Sequence, residues 1–189
     1  SLPTCGTPAR HRGGSGDRGP MRCRHCRDPL VSIFIDLGSS PPSNAYLTAD
    51  RLAGPETWYP LRVMVCDNCR LVQTEDFAAA EELFDAEYAY FSGFSRSWVA
   101  HCERYAREMT DRFGLDTGSQ VVEVASNDGT LLRFFHERGM RCTGIEPTAS
   151  TASVARGLGL DVVEEFLTMV SAERMASEGL AADLLAANN

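Results

Sequence analysis

Apolar runs and helical patterns alternate along the second half of the chain. Short runs of β-type residues recur there, and each is followed by a segment whose apolar side chains recur every three or four positions. This alternation predicts a parallel sheet with right-handed crossovers, and therefore an α/β fold. The predicted strands are Gln120–Ala125, Cys142–Glu146, Asp161–Val163 and Asp183–Ala187. The predicted helices are Thr130–Arg138, Ala149–Leu158 and Ser171–Ser177.

The segment before this sheet has a helical pattern. A short helix is predicted over Ala78–Phe84 and a longer one over Ser95–Phe113, in which apolar residues lie about one turn apart. Aromatic residues crowd the stretch between them, Tyr88–Phe94. We therefore expect residues 77–118 to form a helical bridging segment.

Residues 21–76 contain β-type runs at Val31–Ile35 and Leu61–Val65, separated by Pro and Gly turns. The unit has too few apolar residues to be stable on its own, and a metal would supply the missing constraint. Residues 1–20 are rich in Gly, Arg and Pro. We expect them to be a disordered leader, or upstream sequence translated in error before Met21.

Two cysteine pairs frame the β-rich unit. Cys23 and Cys26 form one C-x-x-C pair, and Cys66 and Cys69 form the other. Two such pairs predict a tetrahedral four-cysteine zinc site, and a closed site of this kind is structural rather than catalytic. Reduced or redox-active cysteines are the alternative, and His25 is an alternative ligand within the first pair.

The charge and the cysteine count restrict the function classes. The net charge is −8, which argues against nonspecific binding to nucleic acid or lipid. The seven cysteines, an odd number, do not suggest a disulfide framework. No apolar run approaches the length of a membrane span. We expect a cytoplasmic monomer without nucleic-acid or membrane partners.

The turn that follows the first predicted strand is made of small and polar residues, Ala125-Ser126-Asn127-Asp128-Gly129. A strand, a tight turn and a helix together form a nucleotide pocket in open α/β sheets. Because the glycines of the G-x-G-x-x-G motif are missing, a dehydrogenase is disfavoured. Asn127 and Asp128 are expected to bind a polar, non-phosphate group that resembles an amino acid, and Glu123 to face an amino group or water.

Glu146 ends the second predicted strand, in the sequence Gly144-Ile145-Glu146-Pro147. An acid at this place accepts hydrogen bonds from a ribose diol in nucleotide-binding α/β folds. The alternative is a solvated carboxylate at the end of a strand.

Several motifs occur together in one order along residues 21–189. They are the two cysteine pairs, Tyr59-Pro60-Leu61, Leu71-Val72-Gln73, Tyr88-x-Tyr90-Phe91-Ser92, Glu123-x-Ala125-Ser126-Asn127-Asp128-Gly129, Gly144-Ile145-Glu146-Pro147 and Ala187-Asn188-Asn189. With these motifs the sequence resembles the S-adenosylmethionine-dependent sugar C-methyltransferases. Members of this family methylate a ring carbon of dTDP-linked 4-keto-deoxysugars for branched antibiotic sugars.

The resemblance implies a small zinc-binding β-rich N-terminal domain, residues 21–76, and a truncated class I (Rossmann-like) methyltransferase domain, residues 119–189. It implies that the segment from Glu123 to Gly129 holds the methionine part of the cofactor. Glu146, with Pro147, is implied to hold the ribose and Phe166 to lie near the adenine. Asn188 is implied to line the pocket, and Tyr88 to be an active-site tyrosine.

In the family, a histidine-bearing loop and a Glu-His pair that forms the catalytic base follow the position of Asn189. We therefore expect these 189 residues to be a fragment without turnover, whose last strand is an exposed sheet edge. Two rival functions stay open: a methyltransferase that acts on oxygen or nitrogen, and a zinc-ribbon binding module with a vestigial α/β part.

Overall fold

A computed structural model describes residues 21–84 and 88–188, so the expected leader at 1–20 lies outside the described residues. The described chain divides into two compact units. The first comprises residues 21–40 and 58–77, and the second comprises residues 41–57 and 78–188. The domain boundaries predicted from the sequence stay predictions.

The first unit is a three-stranded antiparallel sheet in the order β1-β2-β3. Its strands are β1 (Ser32–Ser40), β2 (Tyr59–Val65) and β3 (Val72–Thr74). Strand β2 contains the predicted run Leu61–Val65, and β1 contains the run Val31–Ile35 except for Val31. Strand β3 was not predicted because three residues show no periodicity. The buried apolar cluster of this unit consists of Cys23, Leu30, Met64 and Cys66. Such a small core supports the expectation that a metal stabilises the unit.

The second unit has helical elements in its part that follows residue 77. Helix α1 spans Ala80–Leu83, a single 3-10 turn spans Ser92–Phe94, and helix α2 spans Arg96–Phe113. Ser95 caps α2 through its side chain, which accepts a hydrogen bond from Trp98 N, and Gly114 ends the helix with a φ of 62°.

A four-stranded parallel sheet in the order β6-β5-β4-β7 follows. Its strands and helices are β4 (Gln120–Val124), α3 (Leu132–His136), β5 (Arg141–Ile145), α4 (Ala149–Gly157), β6 (Asp161–Val163), α5 (Met169–Ser177) and β7 (Leu184–Ala187). The alternation predicted from the sequence is confirmed. Helix α3 is shorter than predicted, because Thr130 and Leu131 belong to the turn that leads into it. Strand β7 lies at one edge of the described sheet, as expected.

The core of this unit lies between the sheet and the helices α2 and α3. Cys102 and Ala106 of α2 are buried against Leu132 and Phe135 of α3 and against Val121 of β4. This packing fixes the carboxyl ends of the central strands β4 and β5. Among the described residues, no helix is both long and apolar enough to cross a membrane.

Candidate metal centre and cofactor site

The four paired cysteines of the first unit converge. The sulfur atoms of Cys23, Cys26, Cys66 and Cys69 all lie within 4.8 Å of one another. Cys23 Sγ lies 3.5 Å from Cys69 Sγ, and Cys26 Sγ lies 3.5 Å from Cys66 Sγ. A tetrahedral zinc with Zn–S bonds of about 2.3 Å sets its sulfurs about 3.8 Å apart. The four thiols therefore fit zinc. His25 is exposed and is not part of this cluster.

The two cysteine pairs have the same local backbone. The amide of Arg27 donates to Cys23 O, and the amide of Arg70 donates to Cys66 O, both at 3.0 Å. Both arginines have a φ of 65°. Each turn thus brings its two thiols to the same side. Gln73, which is buried in β3, donates through Nε2 to Cys23 Sγ at 3.4 Å and so connects the sheet to the site.

A cavity of about 560 Å³ lies at the carboxyl ends of β4 and β5. Its volume is within the range of small-molecule sites. Most of the residues that the sequence singled out for the cofactor or for catalysis line it. They are Tyr88, Glu123, Ala125, Ser126, Asn127, Glu146, Pro147, Phe166 and Asn188. The structure thus brings together side chains that are distant in the sequence, from Tyr88 to Asn188.

Sequence reasoning did not assign several other lining residues to the site. Phe84, Tyr90 and Trp98 supply much of the aromatic surface, and Glu165 and Leu167 flank Phe166. The crowding of aromatic residues between the two predicted helices was the available signal for Tyr90. Trp98 belongs to the apolar residues that lie about one turn apart in α2. That spacing does not distinguish a residue of the core from a residue that lines a cavity.

The turn that follows β4 has an unusual backbone. Ala125, Asn127 and Gly129 have φ values of 54°, 52° and 76°. A Cβ at Gly129 would lie 2.4 Å from Leu160 Cδ1, so the close contact with Leu160 requires glycine there. Gly129 does not line the cavity. Gly129 instead lets the turn pack closely against Leu160 and Ala155.

Gly144 of β5 makes room for this turn. A Cβ there would lie 2.4 Å from Ser126 Oγ and 3.0 Å from Ser126 Cβ. The glycine of the Gly144-Ile145-Glu146-Pro147 motif thus has a packing reason that the sequence alone did not reveal.

Both carboxylate oxygens of Glu146 are held by backbone amides. Oε2 accepts from Asn127 N, and Oε1 accepts from Thr148 N, each at 2.9 Å. The residue is 5% exposed. Because each oxygen has a second lone pair, the carboxylate can still accept hydrogen bonds from a diol. The alternative of a solvated carboxylate does not describe this buried, doubly held group.

Glu123 is the most perturbed acid of the cavity. Burial raises the pKa of Glu123 to about 8, and the negative charges of Asp128 and Glu146 act in the same direction. Hydrogen bonds from the Asn188 side chain and from the backbone of Leu132 oppose this shift. The second carboxyl oxygen, Oε2, is buried and has no partner.

Ser126 contributes a second buried oxygen without a partner, its Oγ. A buried polar group without a hydrogen bond costs about 1–3 kcal/mol. Two such atoms in the residues that line one cavity therefore indicate that a polar ligand group belongs there, and a positively charged group beside Glu123 would lower the raised pKa of its carboxyl group.

The side chains of Asn127 and Asp128 hold protein groups. Asn127 lines the cavity, but both ends of its side-chain amide bond the backbone of residues 90–92. Asp128 does not line the cavity, and its carboxylate accepts from Gly93 N and Thr130 N.

Tyr88 is partly buried on the cavity wall. Its carbonyl accepts a hydrogen bond from Ser150 Oγ at 3.1 Å, and its ring packs on Phe84 with 5.2 Å between the centroids. Burial raises the pKa of Tyr88, while a hydrogen bond with the Asn44 side chain lowers it. The net effect keeps the phenol protonated.

Comparison with known proteins adds to the evidence for the zinc site. Residues 23–84 match the Methyltransf_13 family of zinc binding domains. The match and the four clustered thiols confirm the predicted zinc site, and the parallel sheet confirms the α/β fold class. The chain is thus related to methyltransferases that carry a zinc-binding domain.

One curated relative is the C-methyltransferase NovU of Streptomyces niveus. It is 32% identical to this chain over 160 residues, which are 84% of this chain and 38% of NovU. The resemblance to C-methyltransferases is thereby confirmed. The chain spans less than half the length of this relative.

Two solved structures with partial similarity are methyltransferases. The glycopeptide N-methyltransferase MtfA is 22% identical over 35% of this chain and 36% of its own, with a TM-score of 0.30. CalS10, an amino pentose methyltransferase from Micromonospora echinaspora, is 16% identical over 53% of this chain and 36% of its own, also with a TM-score of 0.30.

Proposed function

We propose that the protein is an S-adenosylmethionine-dependent C-methyltransferase that acts on a dTDP-linked 4-keto-deoxysugar, in the biosynthesis of antibiotic sugars. The relationship to NovU supports the methyl transfer to carbon. The residues that line the cavity support the assignment of S-adenosylmethionine as the cofactor. The proposal concerns the product of the complete gene, because the chain spans 38% of NovU.

The unpartnered Oε2 of buried Glu123 is the observation that carries the cofactor assignment. The amino-acid end of S-adenosylmethionine bears an ammonium group and a carboxylate. We assign this end to Glu123 and Ser126, where buried polar atoms need a partner, and to Asn188, which lines the cavity beside Glu123. Ala125 and Asn127 contribute backbone to the same wall of the cavity. Asp128 and Gly129 shape the turn without lining the cavity.

Glu146 is assigned to the ribose, with Pro147 beside it. The two backbone amides that bind its carboxylate fix its orientation before any ligand arrives, which lowers the entropy cost of binding. Phe166 lines the same cavity and offers an apolar face for the adenine.

The cofactor supplies an electrophilic methyl group when bound. Methylation at carbon would then need an enolate: a base would remove the proton next to the ketone, and the enolate carbon would take the methyl group as its bond to sulfur breaks, which leaves a neutral thioether. We assign Tyr88, which is protonated, to donate a hydrogen bond to the enolate oxygen. The resemblance assigns the base to a histidine that follows the position of Asn189 in the family.

The test uses the product of the complete gene with a dTDP-4-keto-deoxysugar in D₂O. We expect deuterium at the carbon next to the ketone without cofactor, and a C-methyl product with S-adenosylmethionine. Methylation of oxygen or nitrogen without deuterium exchange would instead support the first rival function. Failure to bind S-adenosylmethionine would support the zinc-ribbon module.

A further inference from the structure

The loop formed by residues 88–94, here named the aromatic loop, contacts the turn after β4 through backbone groups. Asn127 Oδ1 accepts from Ser92 N at 2.9 Å, and Asn127 Nδ2 donates to Tyr90 O at 3.0 Å. The side-chain amide of one residue thus pairs with two backbone groups that lie about 35 positions earlier. These two hydrogen bonds fix the orientation of the side-chain amide and direct one face of it to the loop.

Asp128 holds the same loop one residue further along. Its Oδ2 accepts from Gly93 N at 2.8 Å, while its Oδ1 accepts from the backbone and the hydroxyl of Thr130. The residue is 6% exposed, so these bonds replace the water that the carboxylate loses. A Cβ at Gly93 would lie 3.0 Å from Asp128 Oδ2 and 3.2 Å from Thr130 Oγ1. Glycine at this position therefore permits the close approach.

The backbone of Asn127 meanwhile faces the cofactor side. Its amide donates to Glu146 Oε2, the acid assigned to the ribose. Asn127 thus joins two parts of the cavity: its backbone binds Glu146, and its side chain binds the loop whose Tyr88 and Tyr90 also line the cavity.

We propose that Asn127 and Asp128 are positioning residues that dock the aromatic loop on the cofactor turn and so place Tyr88 against the cavity. The role of Tyr88 in this statement rests on the proposed function, whereas the docking does not. Since ligand bound at Glu146 restrains the turn, it also restrains the loop. Loop docking and cofactor binding are then coupled, and each favours the other.

Residue-resolved amide hydrogen exchange on the 189-residue chain tests the docking without cofactor or substrate. In Asn127→Ala we expect the Ser92 amide to exchange about tenfold faster or more, because its acceptor is lost. Asn127→Asp keeps an acceptor for Ser92 but no donor for Tyr90 O, and should give a smaller increase. Unchanged exchange of Ser92 in Asn127→Ala would overturn the proposal.

Two further variants separate docking from general destabilisation. Gly93→Ala leaves the turn intact and pushes the loop away from Asp128, so the Ser92 and Gly93 amides should both lose protection. Asp116→Ala is the matched control, because Asp116 Oδ1 also accepts from a glycine amide, that of Gly118 at 2.8 Å, in another turn. It should leave the Ser92 and Gly93 amides unchanged. Equal acceleration in Asp116→Ala would contradict specific docking.

A kinetic measurement on the complete gene product then addresses Tyr88. Gly93→Ala should lower kcat for methyl transfer about tenfold, and because loop docking and cofactor binding favour each other it should raise the KM for S-adenosylmethionine by a smaller factor. An unchanged kcat would refute the positioning of Tyr88. If no S-adenosylmethionine binds at all, the proposed function fails, and the exchange experiment still decides the docking.

Discussion

The backbone amide of Asn127 donates to Glu146 Oε2 at 2.9 Å, so the acid that follows β5 holds the turn that follows β4. Thr148 N holds the other oxygen of the same carboxylate. One buried side chain therefore joins the ends of two neighbouring parallel strands and fixes the shape of the cavity between them.

Replacing Glu146 by Gln should lower the free energy of unfolding by about 1–3 kcal/mol, since the amide nitrogen cannot accept and one backbone N–H loses its partner. Urea unfolding at neutral pH measures this change. The exposed Glu137→Gln is the control and should change the stability by less than about 0.5 kcal/mol. A Glu146→Gln variant as stable as the control would contradict the role of these bonds.

Glu123 should make the stability depend on pH. Its pKa rises from 4.5 in the unfolded chain to about 8 in the fold because the carboxyl group is buried. The folded state thus keeps a proton that the unfolded state releases, so stability is full below about pH 4.5 and declines up to about pH 8. The loss is on the order of 5 kcal/mol.

Glu123→Gln, which has no ionisable group, should flatten this part of the profile and be the more stable protein at pH 8. Chemical unfolding at several pH values with both proteins checks this. Parallel profiles for the two proteins would show that Glu123 does not carry the proton.

Removing the metal should unfold the first unit. With a buried cluster of four residues, the antiparallel sheet depends on the four thiolates that a zinc ion holds together. We expect a chelator to abolish the amide protection of β1–β3. Cys66→Ser should purify with little or no zinc, while Cys102→Ala, which alters a buried cysteine outside the cluster, should keep it. Full protection of β1–β3 after chelation would contradict a structural metal.

Gly144→Ala should disturb the cofactor turn, because the new Cβ would lie 2.4 Å from Ser126 Oγ. Overpacking of this kind costs about 1–3 kcal/mol. Gly157→Ala is the matched control: it lies in α4 with no atom within 4 Å of the added Cβ, and it should gain about 0.5–1 kcal/mol. Thermal unfolding of both variants measures the change in stability: Gly144→Ala should be less stable than the unaltered protein and Gly157→Ala more stable. A Gly144→Ala variant that is more stable than the unaltered protein would refute the contact.

The parts of the fold that the sequence predicted are those with a local signal. The strands β4–β7 and the helices between them have clear periodicity, and the cysteine pairs have a spacing that only a few chemistries use. Strand β3 has three residues and no period. It forms because Val72–Thr74 pairs with β2, and this pairing depends on residues outside β3.

The candidate site was predictable in position but less so in detail. The alternating pattern predicts parallel strands, whose carboxyl ends lie on the same side of the sheet. It therefore places Glu123 and Glu146 near each other. The partners of Asn127 and Asp128 do not follow from it. Both were expected to bind a ligand, yet their side chains hold Ser92 and Gly93, because the packing of the aromatic loop is a tertiary property.

Calorimetric titration of the complete gene product with S-adenosylmethionine tests the central claim, that this cavity is the cofactor site. We predict saturable binding that Glu146→Ala weakens at least about tenfold, since hydrogen bonds to a charged group contribute about 1.5–3 kcal/mol. An absence of binding to the unaltered protein, or equal affinity in Glu146→Ala, would contradict the account.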